Sequence, residues 1–279
     1  MSTMTEPDEL LVTEPALLLK LRQDLRDAAE NLGEAEARFL VDTYYMMQRN
    51  RIRARNQLRA LAEDGEPHHV LETLGEASEE LEAIVGSALD VYTRRPLLCQ
   101  WARAQKGIGP VIAAGLYGHI DLEIARTAGA IWRFAGLDPT VKWEKGKKRP
   151  WNTSLKTLCW KIGESFVKVS SSEDAFYGQL YRARKEYEVA RNEAGELAEQ
   201  AARIVQGNPR HAQAATYKEG RLPAGHIHMR AKRWAVKIFL AHWFEVGKRL
   251  RGEEPPAPYA PTHLEEHAHR IEPPPPKLW

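Results

Sequence analysis

At 279 residues, with 43% hydrophobic and 28% charged side chains, the chain has globular proportions and length for one or two domains with a substantial core. It contains no run of about 18 apolar residues, and the opening MSTMTEPDELL lacks a basic-then-apolar leader pattern, so the expectation is a cytoplasmic protein without membrane contact. Two cysteines, Cys99 and Cys159, lie in apolar helical stretches and read as small core residues, which excludes a disulfide framework.

Charge is segregated. The formal total of +2 conceals a net of −6 over residues 1–47, five arginines without an acid over 48–62, and nine acids without a base over 63–90. Residues 91–160 then carry +8, residues 161–252 carry +7, and the tail from 253 returns to −3. A basic centre between acidic flanks suits a polyanionic partner.

Residues 1–15 are polar, acidic and interrupted by Pro7 and Pro15, and read as a flexible tail. Leu17, Leu18, Leu21, Leu25, Ala28 and Leu32 recur at helical steps, Gly33 marks a short break, and the pattern resumes through Phe39, Leu40, Tyr44, Met47, Ile52, Leu58 and Leu61. Asp64-Gly65-Glu66-Pro67 is a stop, and a further helix follows from about His69 to Tyr92. Residues 16–92 therefore predict a coiled-coil-like arm of long helices, through which a homodimer is plausible. Arg49, Arg51, Arg53, Arg55 and Arg59 wind around this helix rather than forming one stripe. They read either as a solvated surface paired with neighbouring acids or as a phosphate-contacting arm.

Residues 93–252 predict a second helical domain. Leu97 to Asp121, LLCQWARAQKGIGPVIAAGLYGHID, reads as helix, glycine turn, helix. Gly107 and Gly109, flanking the aliphatic Ile108, let the backbone bend and approach another surface, and Pro110 suits a helix's first position. The N–H groups opening that second helix, beside Lys106, could take a phosphate. This is a helix-hairpin-helix pattern, and an ordinary helical hairpin is the plainer alternative. Ala130, Ile131, Phe134 and Ala135 predict an apolar helix face ended by Gly136. The segment TVKWEKGKKRPWNT then forms a loop with Lys142, Lys145, Lys147, Lys148 and Arg149 between Trp143 and Trp151. Such a loop can follow a phosphate backbone while an indole stacks on a base; alternatively the indoles anchor it and the lysines stay solvated. Ser154 to Lys168 reads as helix, with Leu155, Leu158, Cys159, Ile162 and Phe166 inward. Phe176 to Ile204 reads as one long charged helix, Gly207-Asn208-Pro209 breaks it, and a last helix runs from about His226 to Arg251. Trp234, Trp243 and Phe244 read as core.

The tail 253–279 is Pro-rich, ends PPPPKLW, and predicts an extended, disordered segment. Its His263, His267 and His269, like His226 and His228, have no Cys or Asp to complete a site, so neither metal nor cofactor is expected. The fold class expected is all-α: a long-helix arm, a helical domain holding the hairpin, and a Pro-rich tail.

The order GIGPVIAAGLYGHI, WRFAGLDP, basic loop, SLKTLCWKI, KRWAVKIFLAHWFEVGKRL resembles the C-terminal domain of the DEDD-type, bridge-RNA-guided insertion-sequence transposases. The matching pieces are Gly107-Ile108-Gly109, Ala135 to Pro139, Lys145 to Arg149, Leu155-Lys156 and the helix Ala231 to Leu250, together spanning roughly residues 97–251. The resemblance implies binding of DNA, or of structured RNA, in transposition or recombination. Two departures bear on catalysis. No βαβ nuclease pattern with four spaced acids precedes the arm. The family's nucleophilic serine would fall near Lys148, whereas the local serine is Ser154. The leading expectation is non-sequence-specific DNA binding through Lys106, Gly107, Ile108, Gly109 and the 142–149 loop. The alternatives are a strand-transfer subunit with Ser154 as nucleophile and a nuclease in trans, or a helical adaptor that binds no nucleic acid.

Overall fold

A computed structural model describes residues 14–65, 68–256 and 270–275, with side chains from residue 17 onward. Among these residues there are eleven helices and no strand, so the fold is all-α. The chain divides into two compact units between Arg95 and Pro96.

Unit 1 holds α1 (Glu14–Ala29), α2 (Glu34–Asp64) and α3 (His69–Tyr92). Gly33 caps α2, its N–H donating to the Glu36 carboxylate at 2.8 Å, and Gly65 ends it with φ +71°. α2 and α3 pack as a long pair with α1 against α3. Ala37, Leu40, Val41, Ala54, Ile84, Val85, Ala88 and Leu89 are buried between them. The arginines divide by position. Arg51 donates to Glu82 at 2.7 Å beside Gln48, and Arg55 to Glu79 at 2.7 Å, so these two join the helices. Residues 66–67, and with them part of the expected stop, lie outside the described residues.

Unit 2 begins with α4 (Leu97–Arg103), α5 (Pro110–His119) and α6 (Ala128–Phe134), followed by α7 (Thr153–Lys168) and α8 (Phe176–Glu193). It is completed by α9 (Ala198–Gly207), α10 (Ala214–Lys218) and α11 (Ala224–Leu250). α11 is the axis, packing on α4, α6, α7 and α8. Phe239 is its hub: it stacks on Trp101 at 5.9 Å and meets Phe166 and Tyr177 edge-on at 5.5 and 5.0 Å. Trp243 and Phe244 are buried as expected, and burial pushes both cysteine thiols up to about 12.

Three local expectations change. The run Phe176 to Ile204 is two helices, because Gly195 adopts φ +80° and Arg191 closes the break onto Glu196 at 2.6 Å. α10 adds Tyr217 to a small satellite core with Leu197, Ala201, Leu222 and Ile227. In α6, Ile131 and Ala135 are buried but Ala130 and Phe134 are exposed. The helix turns Trp132 instead toward α11, its Nε1–H donating to the Lys237 carbonyl at 3.0 Å. Residues 1–13, 257–269 and 276–279, including His263, His267 and His269, lie outside the described residues. The stretch 270–275, part of unit 2, has no regular secondary structure and reaches α4 and α11. Trp101 Nε1 donates to the Pro274 carbonyl at 2.9 Å, and His242 Nε2 to the Ile271 carbonyl at 2.8 Å.

Candidate nucleic-acid interface

The glycine turn joins α4 to α5 as the spacing predicts. Gln105 N–H donates to Ala102, Ile108 N–H donates to Gln105, and the Ile108 side chain is buried. Gly107 has φ +99°, a conformation that favours glycine, and a Cβ there would stand 3.2 Å from Ser165 Oγ and 3.3 Å from Val169 Cγ2, so the end of α7 lies close against it. Gly109 faces open space and caps α5, with Pro110 at its first position. Lys106 does not stand free beside that opening. Its Nζ donates to Ser172 Oγ at 2.6 Å and Asp174 Oδ1 at 2.7 Å. Lys106 and Ser172 hold the Asp174 carboxyl at about 2.

The 142–149 loop is exposed throughout. Thr140 N–H and Oγ–H both donate to Asp138 Oδ1, starting an Asx turn. Glu144-Lys145-Gly146-Lys147 then forms a tight turn in which Lys147 N–H donates to Glu144 O at 3.1 Å and Gly146 takes φ +88°. The two tryptophans divide the roles that the sequence left open. Trp151 is the anchor: it packs against Gly136, Lys156 Nζ lies 4.0 Å over its ring, and Asn152 N–H donates to Phe134 O. Trp143 stays 40% exposed, held by its Nε1–H on Lys147 O at 2.7 Å, with Arg149 over its ring at 5.4 Å. Among the described residues, Lys142, Lys145, Lys147 and Lys148 make no ion pair.

α7 determines what these pieces can do together. The hairpin meets α7 at Ser165 to Val169, whereas the loop feeds its first residue, Thr153. At 1.5 Å per residue the two sites are separated by about 18 Å along the helix. The structure therefore does not gather them into one pocket.

The loop's neighbours are instead cations outside the predicted binding residues, among them Lys156 of the Leu155-Lys156 pair. Lys156, in the second turn of α7, is depressed in basicity by partial burial and by the charges of Arg149 and Arg233. Arg233 on α11 is depressed by its surroundings and by Arg230, and Lys237 by its surroundings and Arg233 against the opposing pull of Asp138. Arg233 and Lys237 were legible as part of a helical stripe, since residues 226, 230, 233 and 237 share one face, but they stood inside a run whose aromatic residues read as core.

Ser154 occupies the first turn of α7, where Asn152 caps the helix by accepting from Leu155 N–H at 2.9 Å. Its hydroxyl has no hydrogen bond with a described residue, so no base is positioned on it. His226 and His228 are each engaged through Nδ1 by a tyrosine hydroxyl, Tyr217 at 3.2 Å and Tyr181 at 2.8 Å. Among the described residues no cluster of His, Cys, Asp or Glu could hold a metal ion, and no helix is long and apolar enough to cross a membrane. Comparison with family models, curated proteins and solved structures gives no match of any of the three kinds.

Proposed function

We propose that the chain is a non-sequence-specific DNA-binding protein, acting in transposition or recombination in the manner its resemblance to the transposase C-terminal domain implies. The observation that carries this reading is the 142–149 loop: four lysines without ion-pair partners and an arginine, on an exposed, glycine-turned segment that presents an indole. Cations held this way cost nothing to withdraw from partners and can track phosphates without reading bases. The exposed Phe134 and Trp143 add stacking surfaces for unpaired bases. The hairpin is a second, distant contact. The separation of about 18 Å corresponds to roughly five base pairs of duplex at about 3.4 Å each.

The test is a gel shift of the full chain with duplex, four-way junction and single-stranded DNA, and with structured RNA, at low salt. The reading predicts retardation of DNA irrespective of sequence. Preference for RNA alone would replace DNA with RNA as the partner, and no retardation of any probe would leave a helical adaptor.

A further inference from the structure

The cations on α11 have a geometry that the loop does not share. At 100° per residue His226, Arg230, Arg233 and Lys237 fall within about 60° of arc, along roughly 16 Å of the helix. Like charges at this spacing repel, so Arg233 and Lys237 destabilise the isolated fold unless something offsets them. Arg230 has its offset, donating to Glu188 at 3.0 Å and to Gln200 at 2.7 Å. His226 is held on Tyr217. Arg233 has none: among the described residues it forms neither an ion pair nor a hydrogen bond.

Two lysines near it lie over indole rings. Lys237 Nζ lies 5.0 Å over the Trp132 ring, and that ring is itself tied to the Lys237 carbonyl. Lys156 lies 4.0 Å over Trp151, with its Cδ in line with the position a Gly136 Cβ would take. The acid facing this group is Asp138, which also serves Thr140 and faces Arg133. Two lysines held over indole faces, with the unpartnered Arg233 one helical turn from Lys237 on the same face of α11, offer donors to an oxyanion with several acceptor oxygens.

We infer that Arg233, Lys156 and Lys237 form a seat for a phosphate group, distinct from the hairpin, that the loop's Arg149 borders on one side. The seat rests on the nucleic-acid reading only for the source of that phosphate, which we take to be a backbone phosphodiester. The loop then supplies diffuse attraction, and the seat supplies a fixed position at which a strand is held.

The experiment is thermal unfolding of the full chain in sodium chloride and in sodium pyrophosphate at matched ionic strength, for wild type, Arg233→Gln, Lys237→Gln and the loop variant Lys147→Gln. The expected result is a higher melting temperature for wild type in pyrophosphate, kept by Lys147→Gln and lost by Arg233→Gln and Lys237→Gln. In chloride Arg233→Gln should melt no lower than wild type, because it relieves repulsion. An equal pyrophosphate gain in Arg233→Gln, or a chloride melting temperature well below wild type, would overturn the seat. An oligonucleotide titration separates this from the broader reading. If the seat is wrong but DNA binding right, Arg233→Gln binds DNA like wild type. If DNA binding is wrong but the seat right, Arg233-dependent pyrophosphate protection survives with no oligonucleotide bound. With both right, Arg233→Gln lowers the slope of log affinity against log salt by about one.

Discussion

Protonation tests the buried polar residues of unit 2. His242 donates to the Ile271 carbonyl and takes the Tyr177 hydroxyl on its other nitrogen at 2.8 Å, an arrangement complete with a neutral ring. Burial lowers its pKa below the ordinary 6.5, and burial with neighbouring cations does the same for His226 and His228. The unfolded chain therefore binds more protons than the folded one just below pH 6.5. Stability is complete above that value and declines as pH falls toward the folded pKa values. Glu188 behaves differently: burial favours its neutral form, but hydrogen bonding from Arg230 and the charges of Arg184 and Arg230 outweigh this and hold it below 4.5. Its contribution is complete above pH 4.5 and is lost only below it. Melting temperature against pH should thus fall in two stages, and His242→Gln should shrink the upper stage while leaving the lower one. A curve flat between pH 6.5 and 5 would contradict the buried, neutral histidine.

At the scale of elements, small residues decide how closely helices approach. A Cβ on Gly178 of α8 would stand 2.9 Å from Ser170 Cα and 3.1 Å from the Phe166 carbonyl oxygen, both backbone atoms that cannot rotate away. Gly178→Ala should therefore force α8 off the end of α7 and cost on the order of 1–3 kcal/mol by denaturant unfolding; an unchanged midpoint would mean the two helices slide freely. None of this was legible in the sequence, where a helical glycine signals only lost propensity. What was legible followed from local chemistry: the Gly33 and Gly65 ends of α2, the glycine turn before Pro110, and the inward face of α7. The α8–α9 break was missed because Gly195 stops the helix through φ +80° rather than through a proline, and the pattern on either side stays helical. The site was half legible. The loop cations could be named from composition, but Arg233 and Lys237 become part of it only when α11 packs on α6 and α7. Conversely, the pairing of Lys106 with Asp174 joins residues 68 apart, which no local pattern reveals.

For the whole molecule, charge divides with the fold. Counting formal charges, residues 1–95 carry 11 bases and 19 acids, a net of −8, and residues 96–279 carry 29 and 19, a net of +10. The polyanion proposed as partner would be attracted by the net charge of unit 2 and repelled by that of unit 1. Within unit 2 the loop lysines and Arg233 make no ion pair among the described residues, whereas Arg184, Arg191 and Arg230 surround Glu188 and are committed to the fold. The measurement that tests this most directly is the salt dependence of DNA affinity, by fluorescence anisotropy of a labelled duplex between about 50 and 200 mM salt. Wild type should show a steep linear fall of log affinity with log salt. Replacing Lys145, Lys147 and Lys148 together by glutamine should reduce that slope by about 2.7, roughly 0.9 for each phosphate no longer neutralised. A slope unchanged by the triple replacement, or no binding at the lowest salt, would contradict the account.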